Sequence, residues 1–450
     1  MSLTELLAEY GIDLPVADET SGQTMMDMME ELFPIYRALC GPGFKQSLEM
    51  LRKWVDLSIA EYPTGSEVLG WTIPPEFSVR EAWVENVATG ERVIAYARHP
   101  YSGWLYSQPF DGVVDREELL RHTASLPYLR DVIPLRMTYY RKEWGVSAPQ
   151  AVVDALPPGQ YRVHIDTVHA AGSLRIGEAY LPGDSDEEVL INSYLCHPLG
   201  ANDNLSGVVV AVELFRLLSR LPRRRFSYRL ALWPESIGAI TYIHAHPDRM
   251  GKMVGGLSLN ICGDGKPIRI TESFSGETLF DRAARHALKV CGHPVDSRPF
   301  SNFDGGSSDT GHFNSVGLRK ALCGFTRGGP TPEGYIQYHT AADDLSVVSA
   351  KHLLETLEVA WTTLMVAERA TKPKATYAVT PFLSKYGVFP YKHGAGMGTH
   401  GNDIAKAYFE LMVMADGDSD LLAIAERTQL PIFAYDEPVA EFTRVGLLHP

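Results

Sequence analysis

One segment limits the fold more than any other. LSGVVVAVELFRLLSRL, residues 205–221, is apolar on nearly every side, and a helix of that kind is stable only when buried. It follows EEVLINSYLC, an apolar strand-like run reaching to His197, and precedes FSYRLALWPE, a second such run. A strand, a crossover helix and another strand predict parallel pairing in a sheet covered on both faces. The alternation continues through VGGLSLNIC, ETLFDRAARHALKV, RKALCGFT and SAKHLLETLEVAWTTLMVAERA. Residues 166–370 are therefore expected to be an α/β unit with a mixed sheet and helices on both faces.

The flanking stretches read differently. Residues 23–60 show apolar positions three and four apart, broken by CGPGF, so residues 1–62 are expected to supply helices that pack on the α/β unit. Residues 63–165 are rich in Pro, Gly and alternating runs. AWVENVATGERVIAYA predicts two strands joined at Ala88, Thr89 and Gly90, and the stretch reads as an inserted β-rich domain that contributes to the rim of a pocket. Residues 371–450 hold three helical runs, GNDIAKAYFELMVM, SDLLAIAERT and PVAEFTRVGLL, the last two with the spacing of a helix-turn-helix.

Charge and cysteine usage exclude several classes. The formal net charge of -14 opposes a phosphate backbone, so no nucleic-acid partner is expected. Residues 401–450 carry nine acids against three bases, which argues against DNA binding by the C-terminal helices and for a packing or homo-oligomerisation role, one the β-rich stretch could share. The five cysteines at 40, 196, 262, 291 and 323 form no CxxC pair, which fits free thiols in a reducing compartment. MSLTELLAEYGIDLP lacks a basic n-region, and no apolar stretch is long enough to span a bilayer. A cytoplasmic protein with no membrane partner is expected.

Three clusters carry the chemistry, each at the end of a strand or before a helix, where open α/β sheets place their sites. They are CHPLGANDNLSG, WPESIG and YHTAADDL. Imidazole and carboxylate suit zinc, and a catalytic site leaves one position for water. His197, Asp203 and His339 are candidate ligands. Glu235, which follows a strand and precedes the apolar IGAI, reads as an enclosed carboxylate able to act as general base. The alternatives are ordinary: a lone His is more often structural, and Asp203 could simply cap a helix. Cys196 and Cys262 read as buried small hydrophobes, with strand alternation turning Cys196 away from His197. Arg223, Arg224 and Arg225 fit a solvated turn. Tyr139, Tyr140, Arg141 and Trp144 could line a pocket or close the β-rich stretch against the α/β unit.

DNLSG, ESIG and YHTAAD resemble the motifs of the M28 zinc aminopeptidases. The resemblance implies that Asp203, His197 and His339 bind metal, that Glu235 is the general base, and that Asp343 fills the family's following Asp position. TIPPEF, TYYRKEWG, SYLCHP, ANDNLSG and PESIG resemble more closely a bacterial group with a DUF2172 β-domain, a DUF4910 peptidase-like domain and a C-terminal winged helix. That resemblance runs through nearly the whole chain.

Its departures matter. Ser236 stands where M28 enzymes have a second Glu ligand, Asn260 where they have a later Asp ligand, and Leu199 where they have an Asp two residues after the first His. One zinc per chain is the reading that follows. Asp264 and Asp309 are candidates to replace a lost carboxylate or to bind substrate, together with Tyr140 and Arg141. Asp309 lies in GGSSDTGHF, which resembles the family's pocket-lining segment. The expected activity is amide or peptide hydrolysis of a small peptide or an N-acylated metabolite. The alternative is a non-catalytic binding protein on a decayed peptidase scaffold.

Overall fold

A computed structural model describes residues 3–301, 308–328, 334–390 and 399–449. Its centre is an eight-stranded mixed sheet. In spatial order the strands are Ser58–Pro63, Ser173–Leu181, Ser227–Trp233, Glu188–Tyr194, Met253–Leu259, Leu322–Arg327, Ile268–Thr271 and Asp296–Arg298. The four from Ser227–Trp233 to Leu322–Arg327 run parallel. Every residue of Glu188–Tyr194 is buried, as expected for a strand covered on both faces. The all-apolar segment is the helix Gly207–Ser219, buried over most of its length. It packs with Glu19–Leu32 and Ala350–Arg369, and Ala350–Arg369 packs in turn on Leu279–Val290.

Residues 23–60 are not helical throughout. Glu19–Leu32 and Pro42–Leu51 are helices, but Ser58–Pro63 is an edge strand paired antiparallel with Ser173–Leu181. The apolar spacing that suggested helix up to residue 60 is carried from Ser58 onward by a strand whose inner side chains are only half buried. Between these two neighbouring strands the chain builds a second, antiparallel sheet of Arg92–Ala95, Glu76–Asn86, Gln160–Ala170 and Phe110–Asp115. Ala82, Val84, Ile94, Val163 and Ile165 form its own apolar cluster. The strand Gln160–Ala170 runs past position 165 and is followed almost at once by Ser173–Leu181, so the two sheets are continuous in the chain.

The three C-terminal helices are Thr399–Met414, Leu421–Thr428 and Asp436–Arg444. They dock through ion pairs of Arg282 with Asp420 (3.0 Å) and Glu426 (2.8 Å), and of Arg369 with Asp436 (2.9 Å). No helix among the described residues is long and apolar enough to cross a membrane.

Candidate active site

The parallel strands deliver the site at their C-terminal ends. His197 follows Glu188–Tyr194, and Glu235 follows Ser227–Trp233. Asp203 sits in the 201–206 turn that starts the buried helix. His339 arrives from the long connection ahead of Ala350–Arg369.

The DNLSG turn explains itself atom by atom. Asn204 Nδ2 donates to Ser193 Oγ, Tyr194 O and Asn260 Oδ1 at 2.9–3.0 Å, and its Oδ1 accepts from Ile261 N at 2.8 Å. One amide thus ties the turn to two strand ends. Ser206 Oγ donates to Asn202 O and accepts from Cys262 N. A Cβ on Gly207 would collide with the Leu259 carbonyl, so only glycine lets the helix start this close to the sheet. Asp343 takes the backbone N–H groups of Asn202 (2.8 Å) and Asp203 (2.9 Å). Burial and the nearby Asp203 charge push Asp343 up to about 7.

These contacts fix three donor atoms. His197 Nε2 and His339 Nε2 are 3.2 Å apart, and Asp203 Oδ2 is 3.0 Å from the latter and 3.6 Å from the former. Bonds of roughly 2.0–2.2 Å in a tetrahedron put zinc ligands roughly 3.3–3.5 Å apart, so the three atoms span one face of such a site. Asp203 Oδ2 is buried and accepts no well-formed hydrogen bond, whereas Oδ1 accepts from Tyr194 Oη at 2.6 Å. Burial would raise the Asp203 pKa, but the two imidazoles and Tyr194 outweigh it and hold the carboxyl at about 2. Burial works against protonated His339, yet Asp203 keeps its pKa above the ordinary value. The donor set fits a divalent cation of the zinc type.

Glu235 stands beside it, Oε2 3.9 Å from His197 Nε2. Ser308 Oγ donates to its Oε1 at 2.6 Å. Its side chain keeps 31% of its exposure, so it faces an accessible cavity and is less enclosed than the sequence suggested. His339, Ser236, Leu199, Tyr139 and Ile261 all have φ between 50° and 60°, a conformation uncommon for residues with a Cβ. Such backbones concentrate at functional sites.

Other sequence candidates are placed elsewhere. Asp309 is fully buried. It accepts from Trp233 Nε1 (2.7 Å), Asn192 Nδ2 (3.1 Å) and Ser236 N (2.8 Å), and burial and Glu235 push it up to about 7. It props the Glu235 turn from behind and does not line the cavity; the first three residues of GGSSDTGHF lie outside the described residues. Asp264 is buried, bound to Asn202 Nδ2 and Lys266 N, and burial raises its pKa; it too is not among the residues lining the cavity. Asn260 presents its amide to Asn204 and Ser258, and Ser236 offers Asp309 its backbone N–H. Tyr140 lines the cavity, its hydroxyl bonded to the backbone of Thr72. Arg141 lines an adjoining surface depression that shares Met137, Tyr139 and Tyr140 with the cavity. Cys196 is buried, yet its Sγ is 3.6 Å from His197 Nδ1 and accepts from Glu235 N. The expected alternation fails because the strand has already ended at Tyr194.

Two contacts gave no sequence signal. Arg37 is fully buried and donates to Leu32 O, Ile35 O and His197 O. Burial lowers it to about 10, so it stays charged at neutral pH. Leu135 N donates to His339 O at 2.7 Å, and Ala341 N to Ile133 O at 2.8 Å, so a segment of the 63–165 stretch straps the His339 loop.

The model of the domain of unknown function DUF4910 matches residues 26–370. The chain belongs to the DUF4910 family. A Clostridium acetobutylicum protein is 31% identical over 96% of this chain and 97% of its own. It is provisionally named as a polysaccharide biosynthesis protein with an aminopeptidase-like domain. A crystal structure from the same organism, provisionally a peptidase, superposes with a TM-score of 0.83 at 29% identity, covering 96% and 97% of the two chains. The zinc aminopeptidase of Bacillus subtilis superposes with a TM-score of 0.57 at 16% identity, over 79% of this chain and 96% of that one. This DUF4910 chain therefore has the zinc-aminopeptidase fold.

Proposed function

We propose that this protein hydrolyses an amide or peptide bond with one zinc held by His197, Asp203 and His339, and with Glu235 as general base. The observation that carries the reading is the triangle of donor atoms at 3.0, 3.2 and 3.6 Å. When bound there, zinc would supply Lewis acidity toward a carbonyl oxygen and lower the pKa of water. Glu235 takes the proton of the attacking water and passes it to the departing nitrogen, a task that needs a carboxylate free of the ligand set. Ser308 orients that carboxylate through Oε1 and leaves Oε2 toward the metal side. Asp343 and Tyr194 hold Asp203 by its backbone N–H and by its other oxygen.

The aminopeptidase-like domain in the Clostridium relative's name and the zinc aminopeptidase among the fold relatives support this reading. Asn260 gives its side-chain amide to Asn204 and Ser258, and Ser236 brings a hydroxyl rather than a carboxylate to the cavity, which supports one metal rather than two. A binding protein on a decayed scaffold is less well supported, because a mere pocket has no use for a carboxylate poised beside a ligand set. Metal analysis of the purified protein, with turnover of amide and aminoacyl substrates, tests the proposal. Zinc and turnover lost together in His339→Ala support it; a metal-free, inactive wild-type protein sinks it.

A further inference from the structure

The wall of the cavity is chemically one-sided. The cavity, about 390 Å³ and bounded at one end by His197, His339, Glu235 and Ser236, is otherwise walled by apolar and aromatic side chains among the described residues. Leu39, Trp71, Leu105, Leu135, Met137 and Tyr139 form most of it. They come from four separate stretches, and Trp71 is braced edge-on against Tyr139, with ring centroids 6.2 Å apart. Among the described lining residues, Glu235 is the sole carboxylate. Among the described residues, the two other acids read as candidates to hold a substrate ammonium are off the lining and already engaged: Asp309 has three N–H donors and Asp264 two.

A substrate with a free α-amino group would bring its ammonium against these walls, where desolvation is costly without a paired anion. Pairing it with Glu235 would withdraw the base from the reaction. A neutral acyl chain meets neither cost, and its burial is favoured at roughly 25 cal/mol per Å² of apolar surface. Resting on the hydrolase reading above, we infer that the substrate is an N-acyl compound whose acyl group is apolar and carries no α-amino group. The products are the carboxylate of that acyl group and a free amine. Water adds to the carbonyl carbon, the C–N bond breaks, and the proton taken by Glu235 leaves with the amine.

The test compares zinc-loaded full-length protein on two p-nitroanilides, isocaproyl and L-leucyl, which differ only in the α-ammonium group. The isocaproyl compound is expected to have a kcat/KM at least about tenfold higher, the scale on which one unpaired buried group discriminates. An L-leucyl compound that is equal or better overturns the inference. If neither is cleaved, the hydrolase reading fails and binding of the matching hydroxamates decides the inference separately. Isocaproyl hydroxamate binding about tenfold tighter upholds it; L-leucine hydroxamate binding as well or better overturns it. Trp71→Ala, with the half-exposed Met137→Ala as a second variant in case the first misfolds, should lower the preference for isocaproyl over acetyl hydroxamate. A preference unchanged in the folded variants would show that these walls do not hold the acyl group.

Discussion

Nε2 of His197 and Nε2 of His339 face each other at 3.2 Å, with Asp203 Oδ2 closing the triangle. Two imidazole nitrogens at that distance share at most one proton, while a cation between them uses both lone pairs. We expect one zinc per chain by elemental analysis. Asn260→Asp should leave the count at one, because position 260 faces Asn204 and Ser258. Because Asp203 raises the His339 pKa, protons compete with the metal, and zinc affinity should fall as the pH drops through the titration of His339. Two tightly held ions in wild type would refute the single-zinc reading.

Glu235→Gln should retain zinc, since Glu235 is outside the donor triangle. Turnover should fall by roughly two to four orders of magnitude, the usual contribution of a positioned base. Hydroxamate affinity should change little. Full activity in this variant would place the base elsewhere.

Among the described residues Arg37 has no carboxylate partner, only the carbonyls of Leu32, Ile35 and His197. Arg37→Met removes a charged donor and strands those acceptors at a cost of about 3 kcal/mol. It also frees the backbone of His197, a proposed zinc ligand. Urea unfolding should show the loss of stability, and competitive zinc titration should show weaker binding. If the zinc affinity stays at the wild-type value in a folded variant, the Arg37 contact does not position His197.

His286 is buried against the C-terminal region, its Nε2 accepting the backbone N–H of Ile432 at 3.1 Å. Burial, aided by Lys289 and Arg282, lowers its pKa from 6.5 to about 4. A depressed His is neutral in the folded state, so its contribution is full above the unfolded pKa and drains away between pH 6.5 and about 4,. That window is worth on the order of 3 kcal/mol. Limited proteolysis should therefore open residues 371–450 near pH 4 and not near pH 7. His286→Gln, which can still accept the N–H, should flatten the dependence; an unaltered pH profile would assign the effect to other groups.

The parallel core was legible because burial on both faces writes itself into sequence as unbroken apolar runs, as in Glu188–Tyr194 and Gly207–Ser219. The meeting of His197, Asp203, Glu235 and His339 was legible for a related reason: strand ends and helix starts converge on one edge of such a sheet. What sequence could not convey depended on lateral packing. Asp309 belongs to a short helix, Ser308–Phe313, that sets it behind the cavity. Ser58–Pro63 shares its apolar spacing with the helix before it and becomes a strand through pairing with residues more than a hundred positions away. Arg37 looks like one more polar position of an amphipathic run until its three carbonyl acceptors are in place.

Pro63 and Ser173 are paired neighbours across the main sheet, so a short turn between them could bypass the whole second sheet and leave all eight central strands in sequence. Such a shortened chain would lose Val68, Ile73, Phe77, Leu105 and Tyr106 from the main apolar core, the Leu135 strap on His339, and Trp71, Met137 and Tyr139 of the cavity wall. The second sheet is thus not a removable accessory: the excursion that closes the cavity wall also fills the core beneath the main sheet.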